Sequence, residues 1–127
     1  MKALSATKID SHSGSTKMGC FIISIHVTAT VTLYEREDNT FYLNVQYAYS
    51  GSKSGSGAIN PDVSGNFKGC KEVSKNVEVC VEIENWNLTS SDISFDLTAS
   101  ISHTSTPKLG PDYIFKNQRF AGSLAHI

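Results

Sequence analysis

The sequence predicts an all-β protein: a single-domain antiparallel β-barrel or β-sandwich of about six to eight strands. Three observations carry this expectation. Residues 20–34 read CFIISIHVTATVTLY, with Phe21, Ile23, Ile25, Val27, Ala29, Val31 and Leu33 alternating against Ser24, His26, Thr28, Thr30 and Thr32. Strict period-two alternation of β-branched residues is the mark of a strand with one apolar and one hydroxyl-rich face. The same pattern returns further along the chain, and no window of useful length has the period of a helix. Clusters of Asn, Asp, Gly and Ser separate the alternating runs, which is the chemistry of tight turns. A sheet of this kind buries its apolar side against itself, and that gives a sandwich or a closed barrel.

Residues 2–9 alternate weakly and suggest a short first strand, followed by a polar connector through residue 17 (DSHSGSTK). The long strand then runs to Glu35-Arg36. At roughly 3.3 Å per residue it is long enough to bend from one sheet into another, which favours a barrel or a strand-sharing sandwich. Glu37-Asp38-Asn39 turns the chain. With Arg36 opposite Thr40, Leu33 faces Leu43, Val31 faces Val45 and Ala29 faces Tyr47, while Tyr34 meets Tyr42 and Thr30 meets Gln46. Both faces match in chemistry, as a correct register requires.

Residues 50–66 (SGSKSGSGAINPDVSGN) read as a flexible Gly/Ser-rich loop, with Ala58-Ile59 placed to dock or form a short strand. Val77, Val79, Val81 and Ile83 then form an apolar face after a turn at Ser74-Lys75-Asn76. That turn sets Cys70 opposite Cys80, so a cross-strand disulfide fits the geometry. The third cysteine, Cys20, makes the count odd, no spacing matches a zinc module, and free thiols are the expected state in a chain of intracellular look. Trp86 falls in the next connection. Ile93, Phe95, Leu97, Ala99 and Ile101 alternate with Ser94, Asp96, Thr98, Ser100 and Ser102, repeating the apolar-against-hydroxyl design, and a last strand covers part of 113–125.

The length of 127 residues suits one domain spanning residues 1–127, able to bury roughly two-thirds of its unfolded surface. Eleven basic residues stand against 12 acidic ones and no basic face is concentrated, which excludes a nucleic-acid footprint. No segment reaches the roughly 18 apolar residues of a membrane helix, and the N-terminus lacks the apolar core of a signal peptide. The expected location is therefore cytoplasmic, with secretion still open should the first Met replace a leader. Asn87-Leu88-Thr89 matches a glycosylation acceptor, which matters only in a secreted eukaryotic protein.

Candidate chemistry is sparse. Glu78, Glu82 and Glu84 form an acidic row. With Ile83 opposite Phe95, Glu82 faces Asp96, making Glu82, Glu84 and Asp96 the candidate metal ligands. The competing reading is a solvated face with Lys71 or Arg119 nearby. His26 among threonines is the candidate acid/base group, but no G-x-S-x-G elbow accompanies it. His26, Tyr34, Tyr42 and Trp86 are the candidate binding residues, and Tyr34 and Tyr42 equally fit an ordinary cross-strand pair. No cofactor fingerprint is present. The expected function is a non-enzymatic binding or interaction module for a small molecule or protein partner, with its site at a barrel mouth or on the exposed sheet, with no cofactor and open to homo-oligomer formation. The alternatives are a small barrel enzyme using His26 or an acidic residue in an internal cavity, and a protein that inserts the 20–50 hairpin into a membrane.

Overall fold

The computed structural model describes residues 5–19 and 22–125. Nine strands in these residues form two antiparallel sheets packed face to face. The first holds β1 (Ala6–Gly19), β2 (Ser24–Arg36), β3 (Phe41–Gly51) and β4 (Gly55–Ile59), with the two-residue β5 (Asp62–Val63) also paired to β3. The second is a meander of β6 (Phe67–Ser74), β7 (Val77–Leu88), β8 (Asp92–His103) and β9 (Leu109–Ser123). The sheets do not join into a closed barrel, so the fold is a sandwich. β2 stays within the first sheet rather than crossing to the second; Cys20 and Phe21 lie outside the described residues.

The core is built by the alternating faces. Val27, Val31, Leu33, Leu43 and Val45 of the first sheet are buried against Val79, Val81, Ile83, Phe95 and Leu97 of the second. Two large rings, Phe95 and Phe120, stack at 5.2 Å in the middle. The β2–β3 register is the one expected from side-chain matching, from Leu33 opposite Leu43 to Ala29 opposite Tyr47.

Six expectations are corrected. The polar stretch 10–17 is a strand, not a connector, because β2 supplies its partners: Ser11 Oγ lies 2.9 Å from Thr32 Oγ1 and Ser13 Oγ lies 2.8 Å from Thr30 Oγ1. On the inner side Gly14 lies against the ring of Phe115, and the ring of His12 meets Phe120 edge-on at 4.6 Å. The 50–66 loop contains β4 and β5. Gly57 and Gly55 pair with Tyr47 and Tyr49, whose rings lie over the bare Cα positions; a Cβ on either glycine would fall 2.5 Å or 2.6 Å from a phenol oxygen. Tyrosine cover of this kind lets glycine serve in a strand despite its poor propensity.

Trp86 lies in β7, not in a turn. The β7–β8 register is offset by two residues from expectation, with Ile83 opposite Leu97 and Glu84, rather than Glu82, opposite Asp96. An irregularity between Glu84 and Asn87, where Asn85 has a φ of 56°, extends β7 past the expected turn. Cys70 and Cys80, paired as the turn at Lys75 requires, are joined in a disulfide rather than left as thiols. The last strand also starts earlier than expected, at Leu109.

Candidate functional site

The inward positions of both sheets carry buried side chains, and the concavities described below open on the surface. The best-formed polar one is a cleft of about 280 Å3 on the outer face of the second sheet. Its floor follows directly from the register. One row across β6, β7 and β8 is Lys68, Glu82 and Thr98, and the next is Cys70, Cys80 and Ser100. Because residues two apart in a strand share a face, Ser102 continues the hydroxyl line of Thr98 and Ser100. β9 provides the wall with Pro111 and Tyr113.

Tyr113 stands directly opposite Ser100 and is 43% exposed, although most large apolar or aromatic side chains are covered. The Lys116 ammonium sits 5.3 Å from the centre of its ring. Neither Lys68 nor Glu82 belongs to the ion pairs found among the described residues, which are His12–Asp10, Arg36–Asp62 and Arg119–Asp96. The cleft therefore offers one carboxylate, one ammonium, the hydroxyls of Ser100 and Ser102, and the ring and phenol of Tyr113, while the Thr98 hydroxyl already donates to Asn117 Oδ1 and accepts the Asn117 N–H. Such a set can hydrogen-bond a ligand through both donors and acceptors while a ring packs on its apolar side.

The sequence-derived candidates are distributed differently. His26 is exposed on the outer face of the first sheet, opposite Lys17 and Ser50, and remote from the cleft. Tyr34 and Tyr42 stack at 5.1 Å as a cross-strand pair, with the Arg36 guanidinium 4.5 Å above Tyr42. Trp86 is half-buried, stacked at 5.7 Å on Phe95 and edge-on to Phe41, which makes it a packing residue. Of the acidic trio, only Glu82 lines the cleft. Asp96 accepts hydrogen bonds from Asn85 Nδ2 at 2.8 Å and from Arg119 Nη1 at 3.4 Å, the arginine being the neighbour weighed in the solvated reading. The one group of three potential metal ligands among the described residues is Cys70, Glu78 and Cys80, and its two sulfurs are bonded to each other.

Tyr113, Ser100 and Lys68 were not singled out from the sequence. The offset β7–β8 register sets Ser100 in the row beside Lys68 and Glu82, and Tyr113 joins them through shifts between β8 and β9 for which no local pattern gives a signal. Two buried polar residues have structural work instead. Glu35 continues the inward parity of β2, and its Oε1 accepts the Ala125 N–H at 2.7 Å. His103 ends the inward series of β8, and its Nδ1–H donates to the Pro107 carbonyl at 2.7 Å.

A second, apolar groove of about 350 Å3 runs between β4 and β6, with Ile59, Phe67, Val79 and Val81 along it. Cys70 borders this groove while Cys80 borders the polar cleft, so the disulfide forms the ridge between them. No helix among the described residues is long and apolar enough to cross a membrane. No family model matches the chain, and neither a curated protein nor a solved structure shows significant similarity to it.

Proposed function

We propose that the protein is a non-enzymatic binding module whose site is the polar cleft on the outer face of the second sheet, and whose ligand is a saccharide. The observation that carries this reading is the exposed ring of Tyr113 set across from Ser100 at the side of a hydroxyl-lined floor. A sugar ring has one face of C–H groups and a rim of hydroxyls that donate and accept. An aromatic side chain suits the first, and Ser100, Ser102, Glu82 and Lys68 suit the second.

Binding rather than catalysis is supported by the composition of the cleft. Glu82 is the single carboxylate along it, whereas glycoside hydrolysis ordinarily uses a pair of carboxyl groups flanking the scissile bond. At about 280 Å3 the cleft is just below the roughly 300–1,000 Å3 of small-molecule sites, which fits a terminal sugar rather than a long chain. The Cys70–Cys80 disulfide supports residence in an oxidising compartment, where extracellular glycans are met.

The test is nuclear magnetic resonance titration of the protein with a panel of neutral, acidic and amino monosaccharides and disaccharides. Shifts are expected at Thr98, Ser100 and Tyr113 for at least one sugar, with affinity falling roughly tenfold in Tyr113→Ala, equivalent to about 1.4 kcal/mol. Shifts confined to the apolar groove, or none across the panel, would overturn the reading.

A further inference from the structure

We propose that the end of the sandwich carrying Ile22 is a docking surface for an anionic lipid bilayer, independent of the sheet-face cleft. Ile22 lies between β1 and β2 and is 73% exposed, more than Leu88 at 46% or Tyr113 at 43%. Ile23 beside it packs against the core.

Four loops make this end continuous. The Ser52 N–H donates to the Ser24 carbonyl at 2.8 Å and the Ser24 N–H donates to Ser52 Oγ at 2.9 Å, joining the β1–β2 turn to the β3–β4 turn. Lys53 Nζ donates to the Lys75 carbonyl, which brings in the β6–β7 turn. The Thr104 N–H donates to the Asn76 carbonyl at 2.8 Å, adding the loop between β8 and β9. Residues 22–23, 52–54, 75–76 and 104–108 contain Lys53, Lys75 and Lys108 and no acid. Lys17, exposed on β1, extends the basic character along the outer side. The acids of the strands running into this end, Glu72, Glu78 and Asp112, lie behind the turns.

The opposite end has the reverse charge. Its β2–β3 turn carries Glu37 and Asp38, Asp92 opens β8, and Arg36 is engaged by Asp62 at 2.7 Å. A molecule polarised in this way orients its lysine end toward a negative surface. An exposed isoleucine flanked by lysines is the arrangement of an interfacial anchor, with the apolar group entering the headgroup–acyl boundary and the ammonium groups meeting the phosphates. Docking by the tip leaves the sandwich intact, whereas insertion of the whole β2–β3 hairpin would pull Val31, Leu33, Leu43 and Val45 out of the core.

The experiment is co-sedimentation with dye-loaded vesicles of phosphatidylcholine alone and of phosphatidylcholine mixed with phosphatidylserine. Binding to the mixed vesicles is expected, weakening as salt rises, with the dye retained. Ile22→Asp, and separately Lys75→Glu with Lys108→Glu, should each weaken it by roughly tenfold or more. Both variants change exposed side chains, and unchanged thermal melts establish that they fold. Absence of binding, equal binding to both vesicle types, or undiminished binding of the variants would overturn the proposal. Dye release would replace it with insertion, and sedimentation without vesicles would make a second copy the occupant. Failure here leaves the saccharide reading standing, and the converse holds, because Tyr113 and Ile22 lie on different surfaces.

Discussion

Asp10 Oδ2 accepts a hydrogen bond from the Ala121 N–H at 3.0 Å, tying the first strand of one sheet to the last strand of the other. The two strands pack along one side of the sandwich without forming a ladder, so this carboxylate substitutes for part of the missing backbone pairing.

Burial alone would raise the Asp10 pKa, but hydrogen bonds from the Ala121 N–H, from His12 and from the Ser11 N–H, with the charge of His12, outweigh it and hold the carboxyl below its ordinary value. A pKa depressed on folding stabilises the fold above the unfolded value and is lost as pH falls through the folded one. Asp10→Ala should therefore cost about 1–3 kcal/mol at neutral pH, by analogy with other hydrogen bonds to charged groups. The gap between variant and wild type should narrow below about pH 4, where the unfolded carboxyl begins to protonate. Urea unfolding across a pH series measures both quantities, and a gap independent of acid would show that the charge is not what matters.

The same seam is sterically tight. A Cβ on Gly14 would lie 2.7 Å from the Ile114 carbonyl oxygen and 2.8 Å from Phe115 Cε1, and one on Gly122 would lie 2.5 Å from Ile9 Cγ2. Gly14 meets backbone at 2.7 Å, which cannot swing aside; Gly122 meets a methyl on a stiff β-branched side chain, with the nearest backbone atom, the Ile9 carbonyl oxygen, farther off at 3.1 Å. Gly14→Ala is expected to destabilise by about 1–3 kcal/mol, and Gly122→Ala by less. Equal losses in chemical denaturation would show that the seam adjusts as a whole.

Much of this architecture was legible because the sequence labels both faces of its strands. Leu33 with Leu43 and Tyr34 with Tyr42 specify one register on two sides at once. Cys70 and Cys80 are placed opposite each other by parity about Lys75, although parity says nothing of oxidation state. The polar half of β1 and the glycines of β4 were illegible because their contacts belong to other strands: Thr30 and Thr32 in one case, Tyr47 and Tyr49 in the other. The β7–β8 register was hidden because β7 runs on to Leu88 through an irregularity at Asn85, which passes the inward parity from Ile83 to Trp86 and breaks the alternation there. Only Glu82 of the cleft was identified, because the position of Tyr113 depends on shifts along β9 that no period reveals.

The disulfide should be a substantial part of the stability of the β6–β7 hairpin. Its cysteines are 10 residues apart, and closing a loop of that size in the unfolded chain corresponds to about 2–3 kcal/mol. Cys70→Ser with Cys80→Ser is expected to lower the unfolding free energy by about that amount, and a reducing agent should lower the wild type similarly while leaving the double variant unchanged. β6 is the edge of its sheet and is mostly exposed, so hydrogen exchange in the double variant should rise first in residues 67–74. Uniform acceleration across both sheets would mean that the bridge stabilises the whole sandwich rather than its edge.

Trp86 separates packing from binding, because its environment predicts only the first. Its ring stacks on Phe95, which stacks in turn on Phe120, and Phe41 of the other sheet meets it edge-on at 6.0 Å. Truncating an aromatic in such a cluster removes contact on several sides. Trp86→Ala should cost about 2–4 kcal/mol, somewhat below the loss for a fully buried ring because one side of Trp86 is open to water. Trp86→Phe should recover most of it. Trp86 is the one tryptophan of the chain, so its fluorescence reports unfolding directly in the wild type, with circular dichroism serving for the variants. Saccharide affinity should be the same in Trp86→Phe as in the wild type, since the residue lines neither side of the Tyr113 cleft. A fall in affinity with stability retained would move the site from the outer sheet face to the Phe41 end of the sandwich.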